Sequence, residues 1–299
     1  MQICIVFSFY LLSFNINISI ILLSGNNKTQ NFFYTFAKKL PTINYQLSTK
    51  HMLSQHRTIR KYSNQAIAPE LLNQLLEDTC RASNTGNMQV YSIIATTDAT
   101  IKQQLAPAHF NQPMVTQAPV VLTFCADFNR FSQWCEQRQA EPGYDNFQSF
   151  MAAAIDATIA AQTFCIAAES VGLGICYLGT TTYNAKEIID VLKLPKLVVP
   201  ITTITVGYPE VIPEQTDRLP LAAVVHTETY HDFTSTDIDL LYSEKESSQF
   251  YKDFVAEHKK ETLAQVFTDS RYSKKNNEFF SEKFLEVLKE QGFFGNQSS

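Results

Sequence analysis
From Phe147 to Val171 the chain runs FQSFMAAAIDATIAAQTFCIAAESV, alanines and large apolar side chains with almost no polar face. A helix that is apolar nearly all round must be buried on most faces, so the remaining chain has to supply layers around it. Gly172 and Gly174 end it in the manner of a C-cap, and ICYLG follows as a short strand. Upstream, Pro69 fits the first turn of PELLNQLLEDTCRA, where Leu71, Leu72, Leu75 and Leu76 recur at helical spacing. YSIIATT (91–97) and VVLTFCA (120–126) read as strands. Downstream, AKEIIDVLKL (185–194) reads as a helix and VVPITTITVGYP (198–209) as a strand. Charge density rises beyond Phe233, and in the closing NEFFSEKFLEVLKEQGFF the residues Phe279, Phe280, Phe284, Leu285 and Leu288 fall on one helical stripe.

The 299 residues, 45% of them hydrophobic, suffice for one large domain or two ordinary ones and exclude outright disorder. With 29 acidic and 24 basic side chains the net charge is −5, so there is no basic excess to neutralise a phosphate backbone, and nucleic acid is not expected as a partner. The six cysteines contain no CxxC pair, and His51, His109, His226, His231 and His258 show no HExxH spacing, so no metal site is expected. Cys125 and Cys176, the thiols conceivable as nucleophiles, lie in strand-like runs and read as buried small hydrophobes of a reducing compartment. Asp156, inside the apolar helix, reads as a buried, hydrogen-bonded carboxylate without a catalytic role.

Residues 1–43 stand apart as an apolar extension and connector. No charge occurs from Met1 to Asn27, and Ile3 to Leu23 is long enough to span a bilayer. A positive n-region and a small-residue cleavage site do not occur together, so cleaved export is not expected. Ser8, Ser13, Asn15, Asn17 and Ser19 make it a poor membrane helix, which leaves an anchor or a start site placed too early as alternatives. In an anchor, Lys28, Lys38, Lys39 and Lys50 would hold the following domain on the cytoplasmic side. Either alternative puts the domain in the cytoplasm, with membrane contact only for a real anchor. The folded core is expected from about Asn44.

The densest chemistry is His56-Arg57-Thr58-Ile59-Arg60-Lys61-Tyr62. Two guanidinium groups, an imidazole and a hydroxyl within five residues can converge on one phosphate; the alternative is a solvated basic turn. HRTIRKY is followed in order by RASNTGNMQVYSI, NQPMVTQAPVVLTFCAD, AAESVGLGICYLGT and DRLP. That series resembles the nitroreductase family, and within it the NADPH-preferring flavin reductase and oxygen-insensitive nitroreductase branch. The likeness is close from Asn44 to Phe233 and looser through Gly292-Phe293.

The resemblance implies an α+β fold, a mixed, largely antiparallel sheet sandwiched by helices in an intertwined homodimer. Residues 44–233 would be the FMN-binding core and 234–299 a helical extension packed on the partner subunit. It implies FMN as cofactor, NADPH or NADH as co-substrate, and a small-molecule acceptor such as a nitroaromatic, a quinone or free flavin. No side chain would be catalytic, because the flavin carries the chemistry. Carried over residue by residue, it sets His56, Arg57, Thr58 and Arg60 around the ribityl phosphate, joined by Arg218 of DRLP. Ser83, Asn84, Gln89 and Gln112 would hydrogen-bond the flavin ring and ribityl chain, although turn chemistry explains the first three equally well. Tyr177, Leu178 and Gly179 would lie at the flavin, with a backbone amide near Gly179 at its redox edge. The chain departs from the branch at Thr180, where a second glycine is common, and at Thr216, where a lysine is common. For the 2′-phosphate of NADPH the tail offers Arg271, Lys274 and Lys275, whose alternative reading is a solvated helix edge. A flavin-binding or sensing protein without turnover is the alternative function.

Overall fold
The computed structural model describes residues 53–294 in full and, nearer the N-terminus, the backbone of two strands. The chain divides into two units, 1–54 and 55–299. In the first, β1 (Ile5–Leu11) pairs antiparallel with β2 (Ile16–Leu22), so the stretch considered above as one spanning helix is instead two strands of seven residues. Asn15 and Ser13 fall between two Ile- and Phe-rich runs, a pattern that favours a reversal over a continuous helix. The expected core start at Asn44 lies outside the described residues.

The second unit is α+β. Its sheet comprises β3 (Tyr91–Thr96), β4 (Val120–Asp127), β5 (Gly174–Leu178) and β6 (Val198–Gly207) in the order β3-β4-β6-β5, antiparallel throughout. Its helices are α1 (Pro69–Thr79), α2 (Ala99–Leu105), α3 (Pro113–Gln117), α4 (Asn129–Gln137), α5 (Phe147–Ser170) and α6 (Ala185–Leu192). The tail adds α7 (Ser235–Ser247), α8 (Gln249–Glu257) and α9 (Lys274–Gln291), with a short helical stretch and a π-helical turn, Val266–Arg271, between the last two. Helix α6 stops two residues before the expected Leu194, where Lys193 takes a left-handed conformation.

The sheet is covered on both faces. On one, α5 and Leu75 of α1 pack on Leu122, Phe124, Ile175, Ile204 and Val206. On the other, Leu105, Val115 and Ile188 meet Cys176 and Leu178, which alternate with Ile175 along β5. Strand β4 is buried along its whole length, which explains why only Thr123 and the terminal Asp127 interrupt its apolar run. Helix α5 meets its expected burial only in part: Ala153, Ala157, Ala160, Ala161, Phe164 and Ala168 are enclosed, whereas Phe147, Met151, Ile155 and Ile159, spaced four apart, are 37–52% exposed. In α9 the stripe is buried only in part. Val287 and Leu288 are buried and Phe284 packs against the core, but Phe279 and Leu285 face solvent.

HRTIRKY is extended rather than helical and lies against the end of the sheet. Thr58 bridges Ile175 in parallel and Tyr62 bridges Pro209, the one described departure from antiparallel pairing at this edge being the Thr58 bridge. Beneath it Gly174 and Gly207 face each other in register. A Cβ on Gly174 would lie 2.4 Å from Ile59 Cγ1, and one on Gly207 2.9 Å from Tyr62 Cδ1 and 2.6 Å from Pro119 Cδ. Gly172, at φ 81°, ends α5 as expected, while Gly174 is needed for this close approach. Gly174→Ala should therefore lower stability by about 1–3 kcal/mol, the range for overpacking, in urea unfolding. Gly179→Ala, whose Cβ would meet nothing within 4 Å, should change it little; equal losses would deny Gly174 this role.

Candidate functional site
The extended segment 56–62 is clamped by backbone and phenol. Ile59 N donates to Ile175 O at 2.9 Å, Ser63 N to Tyr208 O at 2.9 Å, and Glu210 N to Lys61 O at 3.1 Å. The buried Tyr62 hydroxyl lies 2.8 Å from Ile59 O, 2.9 Å from Thr205 O and 2.7 Å from Thr205 Oγ1, and burial pushes its pKa well above the ordinary phenol value. Ile59 and Tyr62 point into the core, so the residues between them hold the opposite side. Arg57 donates through Nη1 to Gln55 O at 2.8 Å, while its Nε is buried without a partner. Arg60 is exposed and makes no hydrogen bond or ion pair among the described residues. His56 is held by Glu169 of α5, Nδ1 to Oε1 at 2.6 Å.

Ser83, Asn84 and Gln89 sit on one turn before β3. Asn84 Oδ1 accepts from Gln89 N at 3.2 Å and its Nδ2 donates to Ala82 O at 3.3 Å, so this side chain shapes the turn. Asn87 and Gln89 have φ of 56° and 52°, costly for residues with a Cβ and most unusual for glutamine. Two outside groups hold that conformation. Arg130 Nη2 donates to the Gln89 carbonyl, and Asp156 accepts from Thr85 N at 2.9 Å and Thr85 Oγ1 at 2.9 Å. Asp156 is thus the buried, bonded carboxylate expected, and its partner is the loop carrying these candidates. Ser83 is exposed.

The third group surrounds the end of β5. Tyr177 is half-exposed with its hydroxyl 3.4 Å from Gln162 Oε1, and burial raises its pKa. Leu178 turns its side chain into the core, and its carbonyl accepts from Thr181 Oγ1 at 2.9 Å, so it offers a ligand little. Gly179 is exposed with open space where a Cβ would stand. Thr180 lies 2.8 Å, Oγ1 to Nδ1, from His109, a fully buried ring whose Nε2 has no partner. Burial holds the His109 pKa down at about 4, so the ring is neutral near pH 7. Gln112 starts α3 beside it and donates its backbone N–H to His109 O at 3.1 Å. Sequence reasoning left His109 among the scattered histidines; its nearness to Thr180, 71 residues on, has no local signal.

Arg218 does not reach the 56–60 segment. Its Nη1 turns back to Thr216 Oγ1 at 2.8 Å and Asp217 O at 2.9 Å, but Gln215 of the same loop donates to His56 O at 3.4 Å. Asp217 ties the loop to the tail through Lys245 at 2.7 Å and the Tyr251 hydroxyl at 2.8 Å. Arg271 lies over the Phe254 ring at 5.7 Å, Lys274 pairs with Glu278 at 3.6 Å, and Lys275 is exposed. Among the described residues no hydrogen bond or ion pair joins those three to the other candidates. Cys125 and Cys176 are buried, with burial raising both thiol pKa values, which leaves no ready thiolate. Among the described residues no group of three His, Cys, Asp or Glu is arranged to hold a metal.

Comparison with known proteins shows what the chain is similar to. The model of the nitroreductase family matches residues 53–208. "FMN reductase (NADPH)" of Bacillus subtilis is 34% identical over 221 residues, which cover 72% of this chain and 88% of that one. "Oxygen-insensitive NADPH nitroreductase" of Salmonella typhimurium is 32% identical, with coverages of 61% and 74%. Among solved structures, one from Bacteroides fragilis is 59% identical with a TM-score of 0.81, covering 82% of this chain and 100% of its own.

The buried His109 has a consequence for acid stability. Its folded pKa, about 4 against an ordinary 6.5, is depressed, so the unfolded chain binds the proton more readily. The stabilisation is complete above pH 6.5 and is lost as pH falls toward 4, by up to about 3 kcal/mol. Urea midpoints between pH 7 and 4.5 should fall more steeply for the wild type than for His109→Gln. Parallel curves would remove His109 from the acid response.

Proposed function
The chain belongs to the nitroreductase family, and from that premise we propose that it is an FMN-dependent oxidoreductase carrying electrons from NADPH to a nitroaromatic, a quinone or free flavin. NAD(P)H-dependent flavin oxidoreduction with FMN as cofactor is common ground with its relatives; the preference for NADPH and the identity of the acceptor are the finer parts of the proposal. The observation that carries it for this chain is the buried, unpartnered Nε of Arg57 together with the unpaired guanidinium of Arg60, both on a segment bonded to the sheet through its backbone. Donors left unmade in a rigid place are what an anionic phosphate would satisfy.

FMN, when bound, supplies hydride acceptance from NADPH and two-electron delivery to an acceptor. The chain's own groups bind and orient it. His56, Arg57, Thr58 and Arg60 would hold the phosphate, and the loop of Arg218 would join them only if that guanidinium turned from its own carbonyls. Asn84 and Asp156 would keep the Ser83–Gln89 turn in its strained shape, freeing the side chains of Ser83 and Gln89 for the ring and ribityl chain. Gln112 and the open backbone at Gly179 would stand at the flavin edge, where a fixed N–H dipole favours the charge that develops on reduction.

The exposed apolar edge of α5 supports a homodimer, since a second copy would cover Phe147, Met151, Ile155 and Ile159. The tail from 234 onward would then pack on the partner. Free cysteines, four of the five described being buried, fit a reducing, cytoplasmic compartment. Arg271, Lys274 and Lys275 gather at the start of α9, whose unpaired N–H groups add to their positive field, and we assign them the 2′-phosphate of NADPH.

The visible spectrum tests the function. The purified protein should be yellow, bleach with anaerobic NADPH and recover when acceptor is added. A colourless protein that takes up no supplied FMN would sink the proposal, and bound flavin without sustained NADPH oxidation would make the protein a flavin binder or sensor. For the tail, Arg271→Ala with Lys274→Ala should raise KM for NADPH severalfold while leaving NADH nearly unchanged, and added salt should mimic the loss by screening. Unchanged discrimination in the double variant would move the selecting cations elsewhere.

A further inference from the structure
Glu169 occupies the last turn of α5, where a carboxylate faces the negative end of the helix dipole and needs compensation. Its side chain is only 13% exposed, and it lies across the chain from the cationic segment 56–60. Neutralising positive charge would be served best by a bidentate arginine. Instead Oε1 takes His56 Nδ1 at 2.6 Å, and among the described residues neither Arg57 nor Arg60 is in an ion pair. The contact therefore acts on the imidazole and leaves the Arg60 guanidinium and the Nε of Arg57 without a partner among the described residues.

That choice has a chemical consequence. With Nδ1–H committed to the carboxylate, a neutral ring presents a lone pair at Nε2, which repels a phosphate oxygen. Only the imidazolium donates at both nitrogens. We propose that Glu169 is a positioning residue for the flavin phosphate: it fixes His56 so that phosphate binding is coupled to uptake of one proton at His56 Nε2. This rests on the reading that segment 56–60 holds the phosphate of FMN.

The charged group in contact with His56 is Glu169 on α5; Arg57, Arg60 and Lys61 are its neighbours along the chain, and Glu214, Asp217 and Arg218 are neighbours along the chain of Gln215, which donates to the His56 carbonyl. Asp217 is engaged by Lys245 and Tyr251, and Arg218 by its own loop. On β5 next to this segment, burial raises the pKa values of Cys176 and Tyr177. Free FMN is dianionic at pH 7–9, its phosphate having a second pKa of about 6.

The test is titration of flavin-free protein with FMN and with riboflavin, read by flavin fluorescence between pH 7 and 9. The wild type should bind FMN more tightly than riboflavin, and FMN affinity should fall with rising pH, by at most about tenfold per unit for one proton, while riboflavin stays flat. Glu169→Gln keeps an acceptor oxygen but not the charge. It should weaken FMN about tenfold at pH 8 and leave riboflavin and the thermal midpoint nearly unchanged. His56→Gln should abolish the pH slope. A purely structural role would weaken both flavins alike at every pH and overturn the proposal, as would a flat FMN profile or Glu169→Gln behaving as wild type. Equal affinity for FMN and riboflavin in the wild type would instead overturn the placement of the phosphate on which the proposal rests.

Discussion
Two glycines facing each other across β5 and β6 let an extended strip of chain lie directly on the sheet, and the site follows from that approach. With side chains at Gly174 and Gly207, Ile59 and Tyr62 would be lifted off the sheet end, and the bonds of Tyr62 to Thr205 would be lost with them. Because Ile59 and Tyr62 are sunk into the core, the intervening and preceding polar residues have nowhere else to go. The cationic character of the segment is thus a product of packing: the apolar half is consumed by the fold, and the remaining half is presented at fixed positions.

A similar economy governs the turn before β3. Left-handed Asn87 and Gln89 would relax if unsupported, and Asp156, Asn84 and Arg130 supply the bonds that hold them. A carboxylate placed inside an apolar helix is expensive unless it is fully bonded, and Asp156 meets that condition by organising a loop 71 residues away in sequence. Helix α5 thereby touches the candidate segments twice, through Asp156 in its middle and Glu169 at its end, while another edge remains apolar and exposed.

The helices and strands of the core were legible because apolar period and Gly or Pro punctuation are local properties. Pro69–Thr79, Tyr91–Thr96, Val120–Asp127 and Phe147–Ser170 follow the expected ranges closely. The family was legible too, in the running order of the motifs from HRTIRKY to DRLP. What joins distant segments was not. Nothing near Gly174 distinguishes a cap from a close approach, nothing near Glu169 announces His56, and Arg218 gives no local sign that its guanidinium turns back on its own loop. In α9 spacing fixes a helix face but not which part of it meets the core of its own chain, which Val287 and Leu288 do while Phe279 and Leu285 face solvent. For the N-terminal stretch the alternatives stayed open because apolar content alone does not separate one long helix from two short strands.

The bonds that hold the cationic segment share one property, their span along the chain. His56 reaches 113 residues to Glu169, Tyr62 reaches 143 to Thr205, and Gln215 returns across 159 to the His56 carbonyl. Such closures form late, because loop entropy must be lost before they can contribute. On a ribosome the segment is made early but stays without its floor until β6 has emerged, more than a hundred residues later. The proposed phosphate site would therefore be a property of the finished domain, and its occupancy by a phosphorylated ligand would report that both ends of the core have come together.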